Sequence, residues 1–267
     1  FASDLDPEVS DVLGVFVVGE WGGALGPLAS AGHDPDWSPK GELVAYATWE
    51  GDGGIMVTPP LGDPYVAVEE AFPSNPDWSP DGTRIAFIGD TIGSRTLNVV
   101  FLPSRGLDTM ARNAAGFIQW SPSGDRIAYT ATSGDKADLF ISSVGESPGS
   151  IAKAQRIATD GSVSYPAWSP DGTQLAFVSR KEGNRNIYVA TLACTDAEEA
   201  CHVNVRQVTD APDAETNPIW FPDGNHLVYL AGRGSSWHLE MVDLDNQHPQ
   251  LLVDGLTSPR ELDGHIE

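Results

Sequence analysis

The chain has 267 residues, of which 38 are Asp or Glu and 15 are Lys or Arg, so its formal net charge at pH 7 is −23. This acidic balance argues against binding to nucleic-acid phosphates, which needs a basic surface, and it disfavours adsorption to an anionic membrane. No apolar run reaches the roughly 18 residues that suggest a membrane-spanning helix, and the length suits one large all-β domain.

The strands predicted from the sequence begin near the N-terminus, where residues 1–3 and 12–18 are separated by an acidic loop. A phrase then recurs five times: a Trp, Ser or Phe, Pro, one polar residue and Gly, followed by an apolar strand. Its tryptophans are Trp37, Trp78, Trp120, Trp168 and Trp220, spaced by 41, 42, 48 and 52 residues. A period of about 40–50 residues built from short strands is typical of propeller blades.

One repeat, residues 75–101, shows why each copy predicts a strand, a turn and a second strand. Ser79-Pro-Asp-Gly82 has the residue types of a tight turn, because Pro presets φ and Gly accepts a positive φ. The mostly apolar residues 84–88 predict a strand that is buried on both faces. Residues 97–102 predict a third strand, and residues 107–114 a weaker outer one. Each repeat is therefore predicted to be one four-stranded antiparallel sheet, and helix is expected to be scarce.

The repeated phrase resembles the TolB-type propeller repeat, a relative of the WD-type repeat, and the resemblance covers the whole chain. Two copies depart from the pattern: residues 117–124 lack the Pro before Trp and carry Ser for Asp, and residues 217–224 have Phe221 in place of Ser. Both departures are interpreted as drift within a repeat. The resemblance implies envelope partners, although the chain has no room for the additional N-terminal domain of TolB itself.

The fold predicted from these repeats is a six-bladed β-propeller of four-stranded antiparallel blades, forming a single domain over residues 1–267. Blades one to five are assigned to residues 33–73, 74–115, 116–163, 164–215 and 216–255. Residues 256–267 and 1–32 share the closing sixth blade, because the end of the chain reads as a worn repeat that continues into the first residues. A shared blade would leave no open sheet edge. A ring of five blades is the alternative.

The two cysteines, Cys194 and Cys201, flank a loop between the third and fourth strands of blade four. Flanking one hairpin loop brings them close enough for a disulfide bond, which would indicate an oxidising compartment. Two unpaired thiols are the alternative. A zinc site is not expected, since these cysteines with nearby His202 lack the usual ligand spacing.

The sequence contains no motif that identifies an enzyme. The Gly-x-Ser-x-Gly elbow of α/β-hydrolases and the phosphate-binding Gly-rich loop are both missing. The six histidines are scattered, without the His-Glu-x-x-His pattern, so no cofactor and no metal ligands are assigned. Some lyases related to the TolB-type repeat use His and a divalent metal at the mouth of the funnel. A divalent cation on the axis, near His33, is therefore kept as an alternative.

The loops that enter each first strand and those that join second to third strands share one face of a propeller. This loop face is predicted to bind partners. Its candidate binding residues are Asp34, Asp36, Trp49, Asp77, Tyr165, Arg180, Lys181, Arg185, Arg233 and Trp237. An alternative role for the Asp before Trp is structural, namely to order its own loop. Arg180, Lys181 and Arg185 form the only basic cluster of an acidic chain and could pair with an acidic partner.

These observations predict a non-enzymatic protein-binding or scaffold propeller of the cell envelope. One form of this hypothesis is an extrinsic subunit of a membrane-bound complex. Its expected partners are other envelope or membrane-complex proteins, with no nucleic acid. Its expected location is extracytoplasmic, either periplasmic or membrane-peripheral, with an anchor upstream of Phe1 as one option. A funnel-site enzyme, such as a metal-assisted lyase or a hydrolase-like protein, or a small-ligand sensor is the alternative. A fragment of a longer enzyme or receptor is a third hypothesis.

Overall fold

The computed structural model describes residues 15–17, 26–29, 31–50, 53–60, 62–70, 72–91, 94–134, 136–149, 154–158, 162–194 and 200–256. The chain divides into two compact units. The first contains residues 1–120 and 144–151, and the second contains residues 121–143 and 152–267. The predicted strand at residues 1–3 and the worn repeat at 257–267 lie outside the described residues.

The described part of the first unit consists of strands and turns, without helix. Its strands are β1 (Val15–Val17), β2 (Gly26–Ala29), β3 (Gly32–Trp37), β4 (Val44–Thr48), β5 (Gly54–Thr58), β6 (Tyr65–Val68), β7 (Ser74–Trp78), β8 (Arg84–Thr91), β9 (Ser94–Phe101), β10 (Gly106–Arg112) and β11 (Ala114–Trp120). They build the antiparallel pair β1–β2 and two four-stranded antiparallel sheets, β3–β6 and β7–β10, each in chain order.

The second unit repeats the same design. Its strands are β12 (Arg126–Ser133), β13 (Lys136–Ser143), β14 (Gln155–Ala158), β15 (Ser164–Trp168), β16 (Gln174–Ser179), β17 (Asn186–Ala193), β18 (His202–Gln207), β19 (Ala214–Trp220), β20 (His226–Arg233), β21 (Ser236–Asp243) and β22 (Pro249–Leu256). β15–β18 and β19–β22 are four-stranded antiparallel sheets. The fifth four-stranded sheet has the strand order β11-β12-β13-β14.

The prediction of an all-β chain built from four-stranded antiparallel blades is thus confirmed. The described residues form five blades and the additional pair β1–β2. Six blades are not confirmed, because the remaining part of the predicted closing blade lies outside the described residues.

The Ser-Pro-Asp-Gly turn is held by its own side chains. Ser79 is fully buried; its Oγ donates to Asp81 Oδ1 (2.6 Å) and accepts from the Arg84 N–H (3.0 Å). Asp81 Oδ1 also accepts from the Thr83 N–H (2.9 Å), and Gly82 takes φ 70°. Burial disfavours the charge of Asp81, but the hydrogen bonds from Ser79 and Thr83 outweigh it and lower the pKa of Asp81 to about 2.

The departing copy of this turn keeps the same shape with a different set of bonds. Phe221 has no hydroxyl to accept a hydrogen bond, so Asp223 Oδ1 accepts from the N–H groups of both Asn225 (2.8 Å) and His226 (3.1 Å). The backbone bond from Phe221 N to His226 O (2.9 Å) remains. Loss of the Ser is therefore compensated within the turn itself.

The tryptophan of a repeat packs back against the preceding sheet where that sheet has four strands. Trp78 lies in one cluster with Ala45 and Val57 of the β3–β6 sheet, and Trp220 lies in another with Ala176 and Val189 of the β15–β18 sheet. Trp78, Trp120, Trp168 and Trp220 are all buried, whereas Trp37 is 42% exposed. The chain before Trp37 supplies only the two-stranded pair β1–β2 among the described residues.

In the first unit, the Asp before one tryptophan holds the backbone of the next tryptophan. Asp36 Oδ2 accepts from the Trp78 N–H (2.8 Å), and Asp77 Oδ2 accepts from the Trp120 N–H (2.7 Å). The Trp120 indole N–H also donates to the Asp77 carbonyl (3.0 Å). In the second unit Ala167 stands in the Asp position, and only the indole bond remains, from Trp220 to the Ala167 carbonyl (2.8 Å). These Asp–Trp bonds join successive repeats.

The predicted disulfide between Cys194 and Cys201 is present, with their Cα atoms 4.1 Å apart. Both cysteines pack against the core of the second unit. Gln155 of β14 binds both backbone groups of Cys201, donating to its carbonyl (2.7 Å) and accepting from its N–H (2.7 Å). The disulfide therefore ties the loop between β17 and β18 at a point that the neighbouring β14 also holds.

We expect Asp77→Ala to destabilise the first unit by about 1–3 kcal/mol, because the buried Trp120 N–H loses its acceptor. Urea unfolding followed by tryptophan fluorescence measures this change as a lower midpoint. Asp77→Asn keeps an acceptor oxygen and should recover most of the loss. Asp63→Ala, at an exposed position of the same unit, is the matched control. An Asp77→Ala midpoint equal to that of the control would contradict the role of the Asp–Trp bond.

Candidate functional site

A β-bulge recurs in the first strand of four repeats, three residues before the tryptophan. Asp34, Asn75, Tyr165 and Asn217 each precede Pro and have φ between 49° and 52°. The register of the strand pairing shifts at each of these positions. Left-handed backbone is costly for a bulky residue such as Tyr165, and such bulges redirect side chains near functional sites. Two predicted binding residues, Asp34 and Tyr165, therefore lie at a conformationally constrained point of the blade.

In the first unit, the bulge gathers Asp34 and Trp49 around His33. The His33 ring is buried and lies 4.3 Å from the Trp49 ring, and its Nδ1 is 3.1 Å from Asp34 Oδ2. Asp34 Oδ2 also accepts from the Asn75 N–H (3.1 Å). Burial opposes the charge of Asp34, but these hydrogen bonds outweigh it and hold its pKa below the ordinary value. Trp49 remains more than half exposed.

The other two predicted binding residues of this unit, Asp36 and Asp77, have a structural role. The carboxylates of Asp36 and Asp77 bind the tryptophan backbone of the next repeat, as described above. They therefore order the following repeat, whereas the structural alternative considered from the sequence was that they order their own loop.

In the second unit, five predicted residues lie on two turns at one end of the sheets. Arg180, Lys181 and Arg185 occupy the connection of β16 to β17, and Arg233 and Trp237 adjoin the connection of β20 to β21. The first turn is closed by the bond from Gly183 N to Arg180 O (2.9 Å).

The segment that enters β19 links these two turns. Asn184 donates to the carbonyls of Ala211 and Asp213 (both 2.9 Å). Arg233 donates to the Pro212 carbonyl (2.8 Å), and its Nε lies 3.4 Å from Asp213 Oδ1. The indole N–H of Trp237 donates to the carbonyl of Gly234 in its own turn (2.9 Å). The two turns thus form one connected surface.

A buried carboxyl group, Glu215, lies directly behind this surface. Its side chain is fully buried, and its Oε2 accepts from the Thr209 hydroxyl and from the Ile187 N–H (3.2 Å). Its Oε1 is buried without a hydrogen-bond partner among the described residues. Burial raises the pKa of Glu215 to about 7, against the hydrogen bonds from Thr209 and Ile187 that lower it.

A second carboxyl group, that of Glu240 on β21, lies near Glu215 and contacts side chains of β20 and β21. Tyr229 donates to Glu240 Oε2 (2.8 Å), and His238 Nε2 is 3.1 Å from Glu240 Oε1. Burial, and then the hydrogen bond to Glu240, raise the pKa of Tyr229 above its ordinary value, so its hydroxyl stays protonated. Glu240 also contributes to the raised pKa of Glu215. Glu215, with its raised pKa, therefore lies near a carboxyl group whose position is set by Tyr229 and His238.

Sequence reasoning did not select Glu240, Tyr229 or His238 as site residues. Glu240 and His238 alternate along β21 and share one face of the strand, and this alternation was the only available signal. The proximity of Glu215 to Glu240 depends on the packing of β19 against its neighbours, which one strand's sequence does not show.

Other groupings are limited in the described part of the chain. Within it, no group of three or more His, Cys, Asp or Glu side chains is arranged to hold a metal ion. No helix in that part is long and apolar enough to cross a membrane.

The repeated four-stranded blades, with tryptophans packed between successive sheets, define the class of β-propeller domains. The family model described as the TolB beta propeller domain matches residues 117–255, just over half of the chain. The chain belongs to this TolB β-propeller domain family, as its repeats predicted.

Two curated relatives show different contexts for such repeats. The chain is 29% identical over 154 residues to the uncharacterized peptidase YuxL of Bacillus subtilis, covering 54% of this chain and 21% of that protein. It is 28% identical over 158 residues to the Tol-Pal system protein TolB of Bordetella pertussis, covering 45% of this chain and 35% of the relative. The aligned part thus spans between a fifth and about a third of the length of these relatives.

Solved structures show the same fold at low sequence identity. TolB from Acinetobacter baumannii superposes with a TM-score of 0.64 at 19% identity, covering 93% of this chain and 61% of that one. An oligogalacturonate lyase in complex with manganese gives a TM-score of 0.66 at 15% identity, covering 91% and 71%. These likenesses establish the propeller fold.

We expect the buried Glu215 to make the second unit less stable as pH rises. Its folded-state pKa of about 7 lies above the ordinary 4.5. The unfolded chain therefore releases this proton at lower pH than the folded chain, and the free energy of unfolding falls between about pH 4.5 and 7. Glu215→Gln should consequently raise the thermal midpoint at pH 8 and have much less effect at pH 5.

The measurement is differential scanning calorimetry of both proteins across this pH range. Glu182→Gln, an exposed change in the same unit, is the control and should not alter the pH dependence. A difference between the Glu215→Gln variant and the parent that stays constant from pH 5 to 8 would show that Glu215 ionises normally.

Proposed function

We propose that this chain is a non-enzymatic protein-binding domain of the cell envelope, acting as an extrinsic subunit of a membrane-bound complex. The observation that carries the proposal is the connected surface in the second unit. Arg180 and Lys181 are exposed there, on a turn closed by its own backbone bond and linked through Asn184 to the segment entering β19. A basic group on a braced turn is suited to a preformed partner site.

The distribution of charge in the chain favours this connected surface as the site that contacts a partner protein. The whole chain carries −23, so an exposed pair of basic residues offers a local attraction for an acidic patch on a partner while the acidic remainder repels wrong orientations. Arg233 adds a third cation on the neighbouring turn, with a side chain that is 73% exposed. The expected partner is therefore a protein with an acidic patch, and nucleic acid is not expected.

An extracytoplasmic location, periplasmic or membrane-peripheral, is part of the proposal. The disulfide between Cys194 and Cys201 supports it, since such bonds persist in oxidising compartments. Similarity to a Tol-Pal system protein supports an envelope role.

A ring of six blades is also proposed, with residues 256–267 and 1–32 sharing the closing blade. The antiparallel pair β1–β2 supports it, because this pair falls inside the segment assigned to that blade. Exposure of Leu251, Leu252 and Val253 on β22 supports it as well, since an apolar outer strand gains from further packing.

The test is purification of the tagged protein from the source membranes under gentle conditions, with mass spectrometry of the proteins that co-purify. We expect stoichiometric recovery of envelope proteins, and about a tenfold loss of that recovery for Arg180→Glu combined with Lys181→Glu, because the attraction becomes repulsion. Arg105→Glu combined with Arg112→Glu, both at exposed positions of the first unit, is the charge-matched control. Recovery of the protein alone would overturn the proposal.

An enzyme or small-ligand sensor is the second candidate, because Glu215 combines burial with a pKa raised to about 7, the range of a general acid or base. The neighbouring Glu240 is positioned by Tyr229 and His238. Manganese titration followed by calorimetry would test the metal-assisted form. Saturable binding that Glu240→Gln abolishes would favour it, and absence of binding would exclude it.

A further inference from the structure

A cavity of about 540 Å³ lies over one face of the β3–β6 sheet, entirely within the first unit. Tyr46, Met56 and Val66 form a cross-strand row on this face, because Tyr46 pairs with Met56 and Met56 with Val66. The alternate residues, such as Ala45 and Val57, pack against the next sheet. One face of the blade thus serves the core while the other lines the cavity.

The apolar part of the wall comes from three elements. Met56 and Val66 lie on β5 and β6, Leu28 lies on β2, and Pro64 lies just before β6. These side chains form an apolar surface that an unbranched or ring-shaped apolar group of a ligand can cover. Val66, for example, is 39% exposed. A volume of this size is within the usual range of small-molecule sites, about 300–1,000 Å³.

Tyr46 supplies a polar atom inside the wall. The residue is 96% buried, being only 4% exposed, and no described residue forms a hydrogen bond with its hydroxyl. Its ring lies close to the backbone of Gly32, where an added Cβ would be 2.6 Å from Tyr46 Cδ2. Burial, and then the charge of Glu50, raise the pKa of Tyr46 above its ordinary value. The phenol therefore remains protonated and neutral, and its oxygen can accept a hydrogen bond from a cationic N–H donor.

Two carboxylates stand at the rim, and the backbone brings them together. Thr48 Oγ1 accepts from the Glu50 N–H (3.1 Å) and donates to the Ala31 carbonyl (3.1 Å), which positions the turn that carries Glu50. On the opposite side, a Cβ at Gly54 would be 2.6 Å from the Val68 carbonyl, so this glycine lets β5 approach the end of β6. Glu69 follows directly and lines the same cavity.

The cavity lining is acidic without a matching cation. Among the described lining residues there is no Lys, Arg or His, and neither Glu50 nor Glu69 forms an ion pair with a described residue. Two carboxylates, an uncommitted phenol and an apolar wall complement a ligand with one cationic end and one apolar stem. An anion would meet repulsion at the rim, and a purely apolar ligand would leave the phenol and carboxylates unused.

We propose that this cavity is a binding site for an alkyl cation, either an ammonium or a guanidinium group on an aliphatic chain. The cation would bind Glu50, Glu69 and the Tyr46 hydroxyl, and its aliphatic stem would lie along Met56, Val66 and Leu28. Such a group occurs in free alkylamines and in the side chains of Lys and Arg. The proposal does not depend on the connected surface of the second unit; its site lies between the β3–β6 sheet and β2, a strand of the proposed closing blade.

Isothermal titration calorimetry of the full chain tests the site with four probes. n-Hexylammonium and N-acetyl-arginine-methylamide represent the two sources, and hexanoate and hexanol are the anionic and neutral controls. Both cations should bind more tightly than either control, and added salt should weaken their binding. Tighter binding of the capped arginine assigns the site to a protein side chain, and tighter binding of hexylammonium assigns it to a small amphiphile.

Variants separate this site from adsorption to an acidic surface. Glu50→Gln and Glu69→Gln should each weaken hexylammonium binding about threefold to fivefold, as for a partly exposed charge pair. Tyr46→Phe should weaken it by about threefold through loss of one hydrogen bond. Asp63→Asn removes a nearby exposed charge that does not line the cavity and should leave the affinity unchanged. The proposal is overturned if hexanoate binds as well as hexylammonium, if neither cation binds, or if Asp63→Asn weakens binding as much as Glu69→Gln.

Discussion

The contact on which each unit depends is the tryptophan packed against the preceding sheet. A four-stranded antiparallel blade has two faces to cover, and the indole covers a large apolar area on its neighbour. In the first unit the backbone at that tryptophan is bound by the carboxylate of the preceding repeat, through Asp36 to Trp78 and Asp77 to Trp120. Packing and hydrogen bonding therefore act at the same residue, and a shift of one repeat would break both.

This arrangement determines which acidic residues are engaged in holding the blades together and which are not. The chain is rich in carboxylates, but those of the repeated phrase are engaged in its turns and in the Asp–Trp bonds. Those outside the phrase differ from each other in environment. Glu215 is buried and has a raised pKa, whereas Glu50 and Glu69 stand at the rim of a cavity without a described cation. The same residue type thus serves three purposes, decided by burial and by neighbouring donors.

The proposed functional surfaces lie outside the repeated phrase for a physical reason. Positions that build each turn and each inter-blade contact cannot vary much without cost, so variation accumulates in the connections between strands. The turn of Arg180 and Lys181, the turn of Arg233, and the rim residue Glu50 all occupy such connections. A rigid repeat can therefore carry different contacts in related proteins, in agreement with relatives that include a Tol-Pal system protein and a peptidase.

The sequence by itself determined the blade. A Trp followed by a Pro-polar-Gly turn and an apolar strand has one favourable local structure, and its spacing predicted the antiparallel sheets and the family. The disulfide was also predictable, because Cys194 and Cys201 flank one hairpin loop.

Only the tertiary structure decided what the polar residues do. Asp77 is a candidate binding residue in the sequence, but its carboxylate is bound to Trp120, 43 residues further along the chain. Glu215 and Glu240 lie 25 positions apart in the sequence, and the effect of Glu240 on the pKa of Glu215 arises only when β19 and β21 belong to one sheet. Local pattern specifies strands and turns through short-range sterics and hydrogen bonds. Burial, charge coupling and cavities depend on which strands meet, and that is a property of the packed chain.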